Sequence, residues 1–336
     1  MVYNYTELEE WGALGIESSP GTLIAPSIYL LMESLEPKTD ITDYIPPERR
    51  GKRAKNYTSV RTGTDTKIQL KMDAFPEAGL EHLWYLALGG KTSAIQGAGP
   101  AYKHTMTQAA NLPVASIYKN WESADSGLLP EAYAQCMLDS LSLSVKENDA
   151  CKVTADFISQ PIDIGQTDKT QTYPVVKPFV FPHMTFKWSD YGTGVASETR
   201  CTSFDMELKN GVKTKFTANN NLYPSVFKAT DFEVTGKLGI MFEDRTLQKS
   251  FLGGTGSQTT VQKTAILKNV EIEMIGELIA STYYYTQTIK LPRVLISDLS
   301  TGDDPVEYQY SITAMEDSVT NKTIDAAVTS KLVSIV

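Results

Sequence analysis

The sequence predicts a mainly β protein, on three observations. Runs of strand length, alternating in polarity or rich in β-branched and aromatic residues, recur along nearly the whole chain. Only two stretches carry helix start and stop chemistry. The composition, 41% hydrophobic and 21% charged, excludes wholesale disorder, collagen and coiled coil. At 336 residues the chain is long for one sandwich and comfortable for two domains, with core enough to need no disulfide or metal.

The strand candidates are 27–36, 56–62, 66–73, 102–106, 114–119, 138–145 and 152–158 in the first half. In the second they are 204–208, 213–217, 231–242, 265–278, 283–289, 293–296, 307–314 and 324–333. Asn210-Gly211 between two short strands is a hairpin signal, because both central positions of a tight turn favour positive φ. Residues 76–88 (PEAGLEHLWYLAL) read as a helix with proline in its first turn and Gly89-Gly90 as its stop. Leu80, Leu83, Trp84 and Leu88 form its apolar face. Residues 243–252 (EDRTLQKSFL) read as a second helix, again closed by Gly253-Gly254.

The two helices suggest an internal duplication. Residues 67–90 and 233–254 each run strand, acidic turn, helix, Leu-Gly-Gly. Each is followed by a polar loop, a strand, and then a strand containing Leu-Pro. The expected units are 1–130, a first β-repeat with an N-terminal arm, and 131–336, a second repeat. An insertion around 160–199 carries four prolines and packs through Tyr173, Phe179, Phe181, Phe186, Trp188 and Tyr191.

Catalytic chemistry finds no foothold. His82, His104 and His183 are the only histidines and form no metal-ligand pattern. No carboxylate pair is singled out for acid–base work. Gly89-Gly90-Lys91-Thr92 resembles the end of a phosphate loop, but Tyr85 stands where the motif needs glycine, so it reads as a helix stop. Successive residues of a strand face opposite sides, so Tyr283-Tyr284-Tyr285 is no sugar platform. The expectation is a non-enzyme with no catalytic residue, cofactor or metal. Cys136, Cys151 and Cys201 are odd in number without a CxxC, and are expected to be buried thiols. Three glycosylation-type sequons read as chance.

The longest apolar stretches fall far short of a membrane span, and the acidic, polar start lacks signal-peptide features. The chain is expected to be made in a cytoplasm. Its net charge of −9 argues against gripping nucleic acid but not against letting it pass. The sharpest charge feature is the loop at Pro46, Pro47, Arg49, Arg50, Lys52 and Arg53, which reads as a solvated loop or as a contact with an acidic patch on another copy.

Residues 11–26 (WGALGIESSPGTLIAP) carry Gly15, Glu17, Gly21, Thr22 and Pro26 in a G-x-E-x-x-x-G-T-x-x-x-P order. With 28–37, 66–90 and the closing stretch LPRVLISDL to EYQYSITAMED, this resembles the tail tube (major tail) proteins of long-tailed bacteriophages. The resemblance implies a β-sandwich with a flanking helix, duplicated here, whose strands join an intersubunit β-barrel. It also implies stacked rings forming a hollow tail tube through which DNA passes without specific binding. Tail terminator and tail-tip proteins are the implied partners, and the virion tail, assembled in the host cytoplasm, the implied location. Alternatives are another virion or injection-machine component, such as a tail terminator or secretion-tube subunit, or a carbohydrate-binding sandwich.

Three expectations follow. The ring is a trimer mimicking a hexamer. The loop bearing Pro46, Arg49, Arg50, Lys52 and Arg53 joins stacked rings, with Glu7, Glu9 and Glu10 as the acidic partner. The channel wall is neutral or acidic, and Glu33 is a candidate for facing it.

Overall fold

A computed structural model describes residues 10–47, 56, 58–123, 127–243, 245–253, 260–263, 265, 267–301 and 307–335. The first half runs β1 (Gly12–Ile16), β2 (Ile28–Leu30), β3 (Met32–Tyr44), β4 (Val60–Asp73), helix α1 (Leu80–Leu88) and β5 (Gly89–Gln96). It continues with β6 (Ala101–Gln108), β7 (Ala115–Ser123), β8 (Gly127–Lys146), β9 (Lys152–Ser159) and β10 (Ile162–Asp163). The second half runs β11 (Met184–Asp190), β12 (Ala196–Ser197), β13 (Cys201–Lys209), β14 (Lys213–Lys215), β15 (Val226–Lys228) and β16 (Glu233–Met241). Then come α2 (Thr246–Phe251), β17 (Leu267–Ala280), β18 (Tyr283–Thr301), β19 (Glu307–Ala314) and β20 (Asp325–Ser330).

Eight strands pair in the order β3-β4-β9-β8-β13-β16-β19-β18, every neighbour antiparallel. Side chains alternate across this sheet as the pleat requires. Leu35, Leu70, Phe157, Leu141, Phe204, Leu238 and Tyr310 are buried on one face. The opposite face is polar. The long strands β8 and β18 leave the sheet at their N-terminal halves. There β8 pairs with β7 and β10, and β18 with β17 and β20. Strand β1 adds to β7, and β11 to β17. These strands, the sheet's apolar face and α1 share one core cluster.

Helix α1 corrects the flanking role expected of it. It starts at Leu80, after a turn over 76–79 in which Gly79 is left-handed (φ 113°), and it is buried almost all round. Its polar residues conceal this in the sequence. Glu81 lies wholly buried, accepting the Glu77 amide with both oxygens (3.0 and 3.1 Å), and burial pushes its pKa up. Gly89 ends the helix at φ 86°, but no polar loop follows: Gly89 opens β5, paired with β6.

Two further expectations change. Asn210-Gly211 forms no hairpin: β13 lies between β8 and β16, while β14 pairs with β15. The buried Asn210 amide donates to the Ala87 and Leu138 carbonyls (3.2 and 3.1 Å), and Val212 N–H to Asp139 (2.7 Å). The turn therefore leads the chain out of the sheet. Residues 283–289 and 293–296 form one strand, because the register shift opposite β17 between Lys268 and Val270 absorbs Pro292. Within 160–199, β11 is a sheet strand with Phe186 and Trp188 buried, and Phe179 is buried beside it. Tyr173 stands edge-on to Tyr29 (6.0 Å). The expected boundary at 130/131 falls inside β8.

Candidate assembly surface

The polar face of the eight-stranded sheet is a broad surface with one consistent character. It carries Glu36, Asp40, Asp73, Asp156, Asp205, Glu207, Glu233, Asp298 and Glu307 against Lys38, Lys67, Lys71, Lys152, Lys209 and Lys237. Several lysines are held by acids. Lys38 meets Asp40 (3.1 Å), Lys209 meets Glu207 (2.9 Å) and Lys152 meets Asp73 (3.4 Å). Asp73 beside it raises the Lys152 pKa, and the Glu207 hydrogen bond does the same for Lys209. Glu33 lies 3.9 Å from Lys152, placing it on this face. Carboxylates remain in excess, so the face is acidic to neutral. Two depressions, of about 610 and 520 Å³, lie along it.

Among the described residues both edges of this sheet are open: β3 pairs only with β4, and residues 296–301 of β18 pair only with β19. Unpaired edge N–H and C=O groups are a template for another chain. Pro37, which has no N–H to donate, sits in β3, as proline does in edge strands. The far end of the β3–β4 pair exposes Ile41, Tyr44 and Val60, with Ile45 beside them. The β14–β15 ribbon lies alongside: Thr64 N–H donates to the Leu222 carbonyl (2.7 Å), and Gly63 faces Phe216.

The N-terminal motif has a structural content. The buried Glu17 carboxylate accepts Ser116 Oγ–H (2.9 Å) and Gln135 N–H (2.8 Å) on Oε1, and Gly21 N–H (2.7 Å) on Oε2. Gly21 is left-handed at φ 81°, and a Cβ at Gly15 would lie 2.7 Å from the Ala25 carbonyl oxygen. The motif folds the β1–β2 connection into a closed loop pinned to β7 and β8.

A family model described as phage tail tube protein matches residues 12–314. The chain belongs to the phage tail tube protein family. It is a structural component of the virion tail that self-assembles into a polymeric tube. No curated protein matches the chain.

Of the residues singled out in this tail tube protein, Pro46 is half-buried past the end of β3. Arg49, Arg50, Lys52 and Arg53 lie outside the described residues, as do Glu7 and Glu9. Glu10 pairs with the buried Lys119 ammonium (2.8 Å), which also donates to the Leu35 carbonyl (2.5 Å). Among the described residues no cluster of His, Cys, Asp and Glu could hold a metal, and no helix is long and apolar enough to cross a membrane. The three cysteines are buried and unpaired. His82 is buried beside Trp84, its pKa pushed down to about 3 by burial, then by Lys91 and His104. His104 bridges the Leu332 carbonyl (2.7 Å) and Ser93 Oγ (2.8 Å), tying the C-terminal segment to β5 and β6.

The open edges were not recognised in the sequence. Their signal was Pro37 in an otherwise regular strand, together with the polar alternation at 298–301.

Proposed function

We propose that three copies close a ring whose inner wall is the eight-stranded sheet, polar face inward, and that stacked rings form the conduit for the genome. The observation that carries this is one chain's eight-stranded antiparallel sheet, polar on the face that holds both depressions and, among the described residues, open at both edges. Eight is even, so β3 and β18 run antiparallel and a neighbour continues the alternation at every seam. Three copies give about twenty-four strands. At roughly 4.8 Å spacing and a tilt near 40°, the wall closes about 45–50 Å across the backbone, with room for a DNA duplex. Two copies would give a wall of about sixteen strands, the size of a porin, which side chains narrow too far.

A tandem duplication supports the reading. β1, β2, β3, β4, α1, β7, β8, β9 and β10 correspond in order to β11, β12, β13, β16, α2, β17, β18, β19 and β20. Their pairings match partner for partner. So do their register shifts: Met32/Ser34 with Cys201/Ser203, Ala115/Ile117 with Lys268/Val270, and Leu138/Ser140 with Ile296/Asp298. β5–β6 and β14–β15 are additions to one unit each. On this reading the units are 12–163 and 184–330, each a β-sandwich with one helix, and the boundary lies at 164–183.

The wall's charge fits a conduit. Each phosphate neutralised by a lysine or arginine releases counterions and gains affinity, so a basic bore would hold the genome back. The cationic loop at Arg49, Arg50, Lys52 and Arg53 belongs between rings, against acidic residues such as Glu7, Glu9 and Glu10. Assembly takes place in the host cytoplasm, tail terminator and tail-tip proteins cap the polymer, and no catalysis is involved. Electron microscopy of the purified chain tests this reading. Long hollow tubes of one width are expected, and discrete particles at high protein concentration would contradict it.

A further inference from the structure

We infer that the seam between neighbouring copies repeats the seam that β8 and β13 make within one chain. Residues 298–301 of β18 then lie antiparallel to 37–40 of β3 in the next copy, with Thr301 opposite Pro37, Ser300 opposite Lys38, and Leu299 opposite Thr39. The inference rests on the ring proposed above and fixes what that reading leaves open: which edges meet, and in which register.

The two depressions on the polar face carry the argument. The larger is lined by 205–207 of β13, 235–237 of β16, 311–313 of β19 and Ser297 of β18. The smaller is lined by 36–38 of β3, 67–69 of β4, 156–158 of β9, and Asp139 and Ser140 of β8. Under the strand correspondence these are the same positions except for Ser140, whose counterpart Asp298 does not line the larger depression. They also differ in one wall. The larger depression is closed by Ser142, Leu143 and Ser144 of β8, which reach it across the β8–β13 seam. The smaller has no such wall, because β3 is an open edge. The positions corresponding to Ser142 and Leu143 are Ser300 and Thr301, on the other open edge.

The register follows from the chain's own pairing. Leu143 faces Met206, Ser142 faces Glu207, and Leu141 faces Leu208. The matched shifts at Leu138/Ser140 and Ile296/Asp298 carry Leu141 onto Leu299. Those at Met32/Ser34 and Cys201/Ser203 carry Leu208 onto Thr39. A slip of one residue would turn every side chain of the strand to the wrong face. In the inferred register Lys38 stands opposite Ser300 and diagonal to Asp298, so one lysine faces both Asp40 of its own chain and Asp298 of the neighbour. Thr39, exposed in the single chain, comes to lie beside Leu299, which already packs on the core.

The test is a cysteine pair. Chains carrying Lys38→Cys and Ser300→Cys are assembled under reducing conditions, then oxidised. Opposed positions on an antiparallel pair lie within disulfide reach, whereas diagonal ones lie beyond it. The native thiols are buried, leaving the introduced pair to report. The expected result is a covalent ladder ending at the trimer, absent from either single variant and from the two-residue slip Asp40→Cys with Ser300→Cys. Normal tubes without the link, or linking by the slipped pair instead, would overturn the register while leaving the tube reading intact. If the unmodified chain forms no tubes, the tube reading itself fails. If only the double variant fails to assemble, a density map of the unmodified tube decides: Leu299 beside Thr39 supports the seam, and any other pairing overturns it.

Discussion

Replacing Glu17 by glutamine isolates the interaction that holds the N-terminal motif together. The carboxylate accepts three hydrogen bonds at 2.7–2.9 Å: from Gly21 N–H, Gln135 N–H and Ser116 Oγ–H. Glutamine keeps the shape and a single acceptor oxygen. Its best orientation leaves that oxygen on Ser116 and Gln135 and turns the NH₂ toward the Gly21 N–H, two donors face to face. An orphaned buried donor costs about 1–3 kcal/mol, and the other two bonds lose their charge assistance, for a total of about 2–4 kcal/mol. With a urea slope near 3 kcal/mol per M, the unfolding midpoint should fall by about 1 M at unchanged slope. Glu17→Ala should cost at least as much. A shift below about 0.3 M would refute the idea that this carboxylate, and not the surrounding packing, pins the β1–β2 loop.

Other outcomes follow from the same geometry. Trp84, fully buried at the centre of α1, should cost about 3–5 kcal/mol on replacement by alanine, read from chemical denaturation; a near-neutral result would contradict its core placement. His82 stays neutral in the fold down to about pH 3, whereas the unfolded chain protonates it near 6.5. Its contribution is therefore complete above pH 6.5 and lost progressively as the pH falls toward 3. A His82→Gln variant should show a shallower decline in unfolding midpoint than the parent between pH 6.5 and 4, and parallel curves would contradict this. Changing Arg49, Arg50, Lys52 and Arg53 to serine should leave the circular dichroism spectrum unchanged but abolish polymerisation; normal tubes would count against an inter-ring role for that loop.

Strands such as β4, β9 and β13 were legible because one face of each is buried, so alternation in the sequence is alternation in space. The register shifts were not, since Ser34, Ser203 and Asp298 resemble any other strand residue until their partners are known. β5 escaped notice because GGKTSAIQ lacks alternation and is a strand only through its pairing with β6. The burial of α1 was hidden by Glu81 and His82, polar residues that the fold keeps inside, Glu81 with a hydrogen-bond partner and His82 neutral. Asn210-Gly211 misled because a turn signal gives the bend but not the destination, which the Asn210 contacts to Ala87 and Leu138 decide. The proposed duplication leaves its mark in the sequence as repeated punctuation around the two helices. Its boundaries were not, because residues 184–199, set apart by their prolines and aromatics, hold the opening strands of the second unit on the proposed correspondence.

The most direct measurement is a cryo-electron microscopy reconstruction of the assembled tube at a resolution that separates strands. The account expects twenty-four strands around the wall from three chains. The polar face carrying Asp156, Asp205 and Glu207 should line the bore. A ring of six chains, or a bore lined by any other face of the subunit, would contradict it.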